Sequence, residues 1–250
     1  MRKLWQVIVA VLVIVVITGS LTVGFGLVNR IYWVARTSGY RVVSSGDNVL
    51  RVNPEFAEHI PALKSKVDYW QDKLDAYFGA EVHQPLIVLT KPERLQAMIG
   101  GSEYSLDTAG AYSEGVVLLT VKENGLPEQA VLVHELAHHY VHELSRGNYP
   151  VWYSEGLAQL AEWSLTGYLW FDVNENYTYY KYNVSELDEN FYGLDSQASA
   201  YRRAFEVARF LSDLDGQANY KILKELAAGK NFPAALYDAT GLSLTDLDEF

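Results

Sequence analysis

The 250-residue chain contains no cysteine, which excludes disulfides, thiolate metal sites and a cysteine nucleophile together. Any metal must therefore rest on His, Asp or Glu. The redox compartment stays open, because a disulfide-free domain folds in oxidising and reducing surroundings alike. Basic side chains are scarce beyond the N-terminus. Residues 1–41 hold five of the 20 and no acidic one, which leaves 15 basic against 31 acidic side chains, a net of -16, for the rest. So acidic a surface repels DNA, RNA and anionic head groups, and a nucleic-acid partner is not expected. No repeat of fixed period occurs, which speaks against a repeat architecture.

What is present is the composition of a folded chain, with 49% hydrophobic, 13% aromatic and 20% charged residues. After Arg2 and Lys3 the sequence runs LWQVIVAVLVIVVITGSLTVGFGLV, about 25 residues without a charge and long enough to cross a bilayer as a tilted helix. Residues 1–30 are thus expected to form a transmembrane anchor. The alternative is a cleaved signal peptide with Leu4–Ile17 as its apolar region, although no clear A-x-A site follows. The expected topology is single-pass with the N-terminus inside and the domain extracytoplasmic. Basic residues on both flanks of the run nearly cancel as an orientation signal.

Residues 31–52 read as a juxtamembrane linker ending in a short extended piece, and residues 53–250 as one folded domain. Asn53-Pro54-Glu55 signals a helix start, with Pro61 expected to kink or divide a helix that runs to Gly79. PLIVLT (85–90) is a buried-strand candidate, PERLQAMIGG (92–101) a short helix, and AGAY, SEG and VVLLTV (109–121) a hairpin. One long helix is expected over Leu126–Ser145 and a second over 151–165, joined by a turn through Pro150. Helices follow in ASAYRRAFEVARFLSDL, NYKILKELAAG and NFPAALYDATG. The stretch GYLWFDVNENYTYYKYN (167–183) packs seven aromatics into 17 residues and reads as a strand pair that lines a cleft, meets a membrane or simply packs. Asn176 and Asn183 lie in N-x-S/T sequons.

Four of the six histidines, His134, His138, His139 and His142, fall within nine positions. On a helix, residues four apart share a face, so either His134 with His138 or His138 with His142 can present ring nitrogens to one ion. Only the first pair encloses a glutamate, as H-E-L-A-H. In that pattern the two imidazoles hold a zinc ion and the glutamate serves as general base toward a water. A catalytic zinc takes a third protein ligand. Val141 and Leu144 stand where an extended H-E-x-x-H-x-x-G-x-x-H motif needs glycine and histidine, so that ligand must come from elsewhere. Glu155, in W-Y-S-E-G-L-A near the start of the next helix, is the candidate if the two helices are antiparallel neighbours. Gly156 and Ala158 are small enough to allow a close approach. His139 and His142 are expected to be surface or supporting histidines.

H-E-L-A-H-H followed by P-V-W-Y-S-E-G-L-A-Q resembles the gluzincin zinc metallopeptidases, the thermolysin-like superfamily, and especially small peptidase MA-like domains with a W-x-x-E-G-x-A block. The likeness extends weakly over residues 85–250. It implies an α+β fold: a zincin-like lobe with a small mixed sheet and the H-E-x-x-H helix (53–166), then a mainly helical lobe (167–250), with a cleft between. It further implies one Zn2+ on His134, His138 and Glu155, Glu135 as catalytic base, and a peptide or protein substrate laid along an edge strand, here VVLLTV. By family position, Tyr201 is the candidate transition-state stabiliser. Gln159 stands where thermolysin has an aspartate that orients a ligand histidine.

Each residue also has a plainer explanation: H-E-x-x-H as a solvated polar helix face, and Glu155 as an acid favoured by the dipole of a helix first turn. The expected function is a membrane-anchored zinc metallopeptidase. The competing expectation is a catalytically weak or inactive binding or scaffold protein of the cell envelope on the same fold.

Overall fold

A computed structural model describes residues 21–45, 48–99, 109–121, 126–169, 171 and 179–250. The chain is α+β: a mixed five-stranded sheet in the order β1-β2-β3-β5-β4, with helices making up most of the remainder. Helix α1 (Leu21–Arg36) leads into β1 (Arg41–Ser45) and β2 (Asn48–Val52). A 3-10 turn (Pro54–His59) and α2 (Ile60–Phe78) precede β3 (Leu86–Thr90) and α3 (Pro92–Ile99), and the hairpin β4 (Gly110–Ser113) and β5 (Val116–Thr120) follows. β2, β3 and β5 are parallel, while β1 and β4 are antiparallel to their neighbours at the two edges.

β3 and β5 are continuous apolar runs because both of their faces are covered. Ile87, Leu89, Val117 and Leu119 pack on one side with α2 and α4 (Gln129–Ser145), and Leu86, Val88, Val116 and Leu118 pack on the other with Trp33, Tyr40, Leu95 and Met98. Pro61 divides the expected helix as predicted, standing in the first turn of α2 directly after the 3-10 turn. α4 begins three residues later than the sequence suggests, because Glu128 still has extended backbone.

One N-terminal expectation needs correction. Residues 31–52 are not a linker, since they supply the end of α1 and two strands of the sheet. Trp33, Leu50 and Val52 are buried, and the Arg51 guanidinium donates to Thr37 Oγ1 and to the Thr37 carbonyl, each at 2.6 Å. The Ser- and Gly-containing surroundings hide strands of five residues each. Among the described residues no helix is long and apolar enough to cross a membrane. Most of the expected span, including residues 4–20, lies outside them, as do residues 172–178 of the aromatic stretch with the Asn176 sequon.

The second half is helical: α5 (Val151–Thr166), α6 (Val184–Asn190), α7 (Gln197–Leu214), α8 (Ala218–Ala227), α9 (Phe232–Thr240) and α10 (Leu244–Glu249). Asn183 and Ser243 open α6 and α10 with reciprocal caps to Glu186 and Asp246, each contributing about 1 kcal/mol. α5 joins the two halves. Its Ala158 and Ala161 belong to the core under the sheet, while Trp152, Tyr153, Leu157 and Leu160 belong to the helical core. Gly156 faces α7, where an added Cβ would lie 2.3 Å from the Ala204 carbonyl oxygen. Gly156 thus makes its closest approach with α7, while Ala158 lies in the core shared with α4.

Candidate metal centre

Leu132, Val133, Leu136, Ala137 and Tyr140 bury α4 beneath the sheet and against α2, which turns His134 and His138 toward α5. The helices are antiparallel: His134 meets Glu162 near the end of α5, and His138 meets Ser154 near its start. Glu155 reaches between the two rings. The Nε2 atoms of His134 and His138 are 3.1 Å apart, and Glu155 Oε2 lies 3.3 Å from the first and 3.5 Å from the second. Ligand atoms bonded at about 2.0–2.1 Å to a tetrahedral ion stand about 3.3 Å from one another. The three atoms thus have the spacing of one face of such a tetrahedron, and all three residues line a cavity of about 390 Å3.

The supporting contacts set which atoms face inward. An ionised carboxylate can only accept, so the 3.0 Å contact from Glu162 places a hydrogen on His134 Nδ1. The Ser154 hydroxyl, 2.8 Å from His138 Nδ1, can receive a hydrogen in the same way. Both Nε2 atoms then converge on the buried Glu155 Oε2. His134, His138 and Glu155 form the one group among the described residues that could hold a metal ion in this way.

The electrostatics agree. Burial opposes charge on His134, yet the Glu155 and Glu162 carboxylates outweigh it and hold the ring's pKa well above the histidine range. Burial also works against an ionised Glu155, but the two histidines hold its pKa well below the carboxylate range. A proton on His134 therefore does part of a cation's work in the metal-free site, and a metal that binds must displace it.

Glu135 is buried one step round α4 and also lines the cavity. Burial raises its pKa, against the pull of His134 and His138. Its room comes from Gly110 at the start of β4, where a Cβ would stand 2.7 Å from Glu135 Cγ and 2.8 Å from Oε1. A larger residue there would force the Glu135 and Val131 side chains to shift. Tyr201 lines the same cavity from α7, with its ring 4.9 Å from that of Phe191.

Several expectations around the centre change. Gln159 does not orient a ligand histidine: it is fully buried and neither amide atom has a partner, whereas Glu162 holds the His134 ring. Glu162 lies seven residues beyond Glu155, two helical turns along the same face, so its helical period could have revealed it. Tyr192, in the 3-10 turn Phe191–Gly193, donates to Glu155 Oε1 at 2.7 Å and carried no comparable signal. The strand at the edge beside the cavity is β4, and VVLLT lies inside the sheet between β3 and β4. His139 is not on the surface. It is buried, its Nε2 donates to the His83 carbonyl, and its Nδ1 lies 3.3 Å from the Tyr112 hydroxyl. His142 is half-buried, with its ring centroid 5.8 Å from that of Tyr112.

No protein-family model matches the chain, and no curated protein matches it either.

Proposed function

We propose that the chain is a membrane-anchored zinc metallopeptidase of the gluzincin type, with His134, His138 and Glu155 as ligands to one Zn2+. The observation that carries this reading is the triangle of two Nε2 atoms and one Oε2 at 3.1, 3.3 and 3.5 Å, backed by Glu162 and Ser154. Two imidazoles and one carboxylate are the donor set of a catalytic zinc in peptidases of this class. When bound, zinc supplies Lewis acidity to a water and to a substrate carbonyl.

The chain's own residues do the rest. Glu135 takes the proton of the attacking water on its carboxylate and returns it to the amine nitrogen that leaves when the peptide C–N bond breaks. Burial suits Glu135 to hold that proton between the two transfers. Tyr201 directs its hydroxyl at the oxyanion that develops on the former carbonyl. An extended peptide lies along the outer edge of β4, which has no strand partner among the described residues. The apolar N-terminal run holds the domain at the membrane, on the extracytoplasmic side.

Exchange of Glu135 for glutamine is the direct test. Metal analysis should find zinc retained at one ion per chain, while cleavage of an unstructured peptide falls about a thousandfold. Cleavage that survives the exchange removes Glu135 as the base, and a chain that takes up no zinc removes the peptidase reading altogether.

A further inference from the structure

The charge-free N-terminal run ends at Asn29, and Arg30 is the next charged residue. At that point α1 is fastened to the hairpin that borders the candidate centre: the Asn29 side-chain amide donates to the Ser113 carbonyl at 2.6 Å and lies 3.4 Å from the Glu114 carbonyl oxygen. Beyond it, α1 follows the sheet toward the opposite end of the strands. Trp33 joins the cluster that Leu86, Val88, Val116 and Leu118 form on this face of the sheet, and after the helix the Tyr40 hydroxyl meets Thr90 Oγ1 at 2.7 Å. The outward side of α1 is left apolar, with Leu27, Val28 and Ile31 61%, 64% and 60% exposed. A bare apolar stripe that continues a charge-free run of this length is suited to hydrocarbon. Tyr32 and Arg30 beside it are residue types that settle where hydrocarbon gives way to water.

We propose that α1 places the tip of the β4–β5 hairpin at the bilayer surface, so that the cleft acts on the extended stretch of a membrane protein just outside its point of entry into the bilayer. This rests on the anchored-peptidase reading and adds the substrate class to it. The geometry sets the reach. β4 runs from Ser113 at the tip to Gly110 against Glu135, three strand steps or about 10 Å. A peptide lying along β4 therefore passes from Glu135 to the membrane plane within about three residues, and cleavage falls within roughly three to six residues of the substrate's own span. A soluble polypeptide has no such constraint, and a site far out on a long ectodomain lies beyond the reach of this cleft.

The test uses the full chain in phosphatidylcholine vesicles that contain a lipid with a fluorescence quencher on its head group. Because the protein has no cysteine, single labels can be placed by Glu114→Cys at the hairpin tip and by Glu58→Cys in the 3-10 turn after β2. That turn lies at the other end of the sheet, where the Asn53 amide donates to the Leu89 carbonyl. Quenching is expected to be several-fold stronger at position 114, and equal quenching overturns the placement. A second arm follows cleavage of single-span reporters that carry one cleavable segment either about five or about twenty residues from the span, beside the same segment as a free peptide. The near reporter should be cut several-fold faster than the far one. If near, far and free segments are cut alike, the substrate class is overturned while the peptidase reading stands. If none is cut, the free peptide included, the peptidase reading fails and takes the substrate class with it, and the labels still decide where the hairpin sits.

Discussion

Neighbouring faces of α4 carry the same residue in opposite surroundings. On one face His134 and His138 meet Glu155 and Glu162, and the pKa of His134 rises well above the ordinary range. On the other, His139 and His142 lie among Tyr112, Tyr149 and the His83 carbonyl, and burial lowers both, His139 to about 4. Carboxylates within bonding distance separate a candidate cation site from a neutral hydrogen-bonded core. Four histidines on one helix do not make four ligands; the neighbouring helix selects which of them see negative charge.

Removing that charge is the sharpest way to break the contrast. Glu155→Ala takes away one of the three proposed ligands, and equilibrium dialysis against zinc should show the one-to-one binding lost, while His142→Ala leaves it intact. Glu162→Gln keeps the contact to His134 Nδ1 but removes its charge, and zinc affinity measured by competition with a chelator should fall about ten- to a hundredfold. On the other face of α4, acid is the probe. The neutral His139 of the folded state binds a proton less readily than its unfolded counterpart. Its contribution to stability is therefore present above about pH 6.5 and is lost as pH falls toward about 4, at most about 3 kcal/mol in all. Denaturant unfolding of the metal-free protein should show this loss, and His139→Gln should reduce it. Gly110→Ala pushes a methyl group into Glu135 and should cost about 1–3 kcal/mol, with peptide cleavage falling further than stability alone explains. The smallest expected effect is that of Tyr112→Phe. It removes the hydroxyl that meets the Gly115 amide and His139, costs about 1 kcal/mol in thermal unfolding, and leaves zinc binding as it was.

How far these features could be read in advance follows from the range over which each is encoded. His134, Glu135 and His138 lie within one helical turn, and Glu155 follows after a short turn, so local spacing suffices to bring them together. Glu162 is legible on the same period, whereas the four-residue offset implied by the resemblance points to Gln159, which meets neither histidine. The edge position of β4 is set by which strands pair across the sheet, and nothing in G-A-Y-S states that VVLLT will be enclosed. β1 and β2 are equally dependent on distant partners: only pairing with β3 turns V-L-R-V from a tether into a buried strand. Tyr192 reaches Glu155 from a 3-10 turn of three residues, a placement that no periodicity announces.

Backbone contact between Gly156 and Ala204 joins α5 to α7 with no side chain in between. The helix that carries Glu155 is thereby locked to the layer behind it and cannot slide on its own. A cation shared by α4 and α5 would then act as a rivet between the two halves of the molecule, and chelation should loosen the seam along its whole length, not only the pocket that the ion vacates.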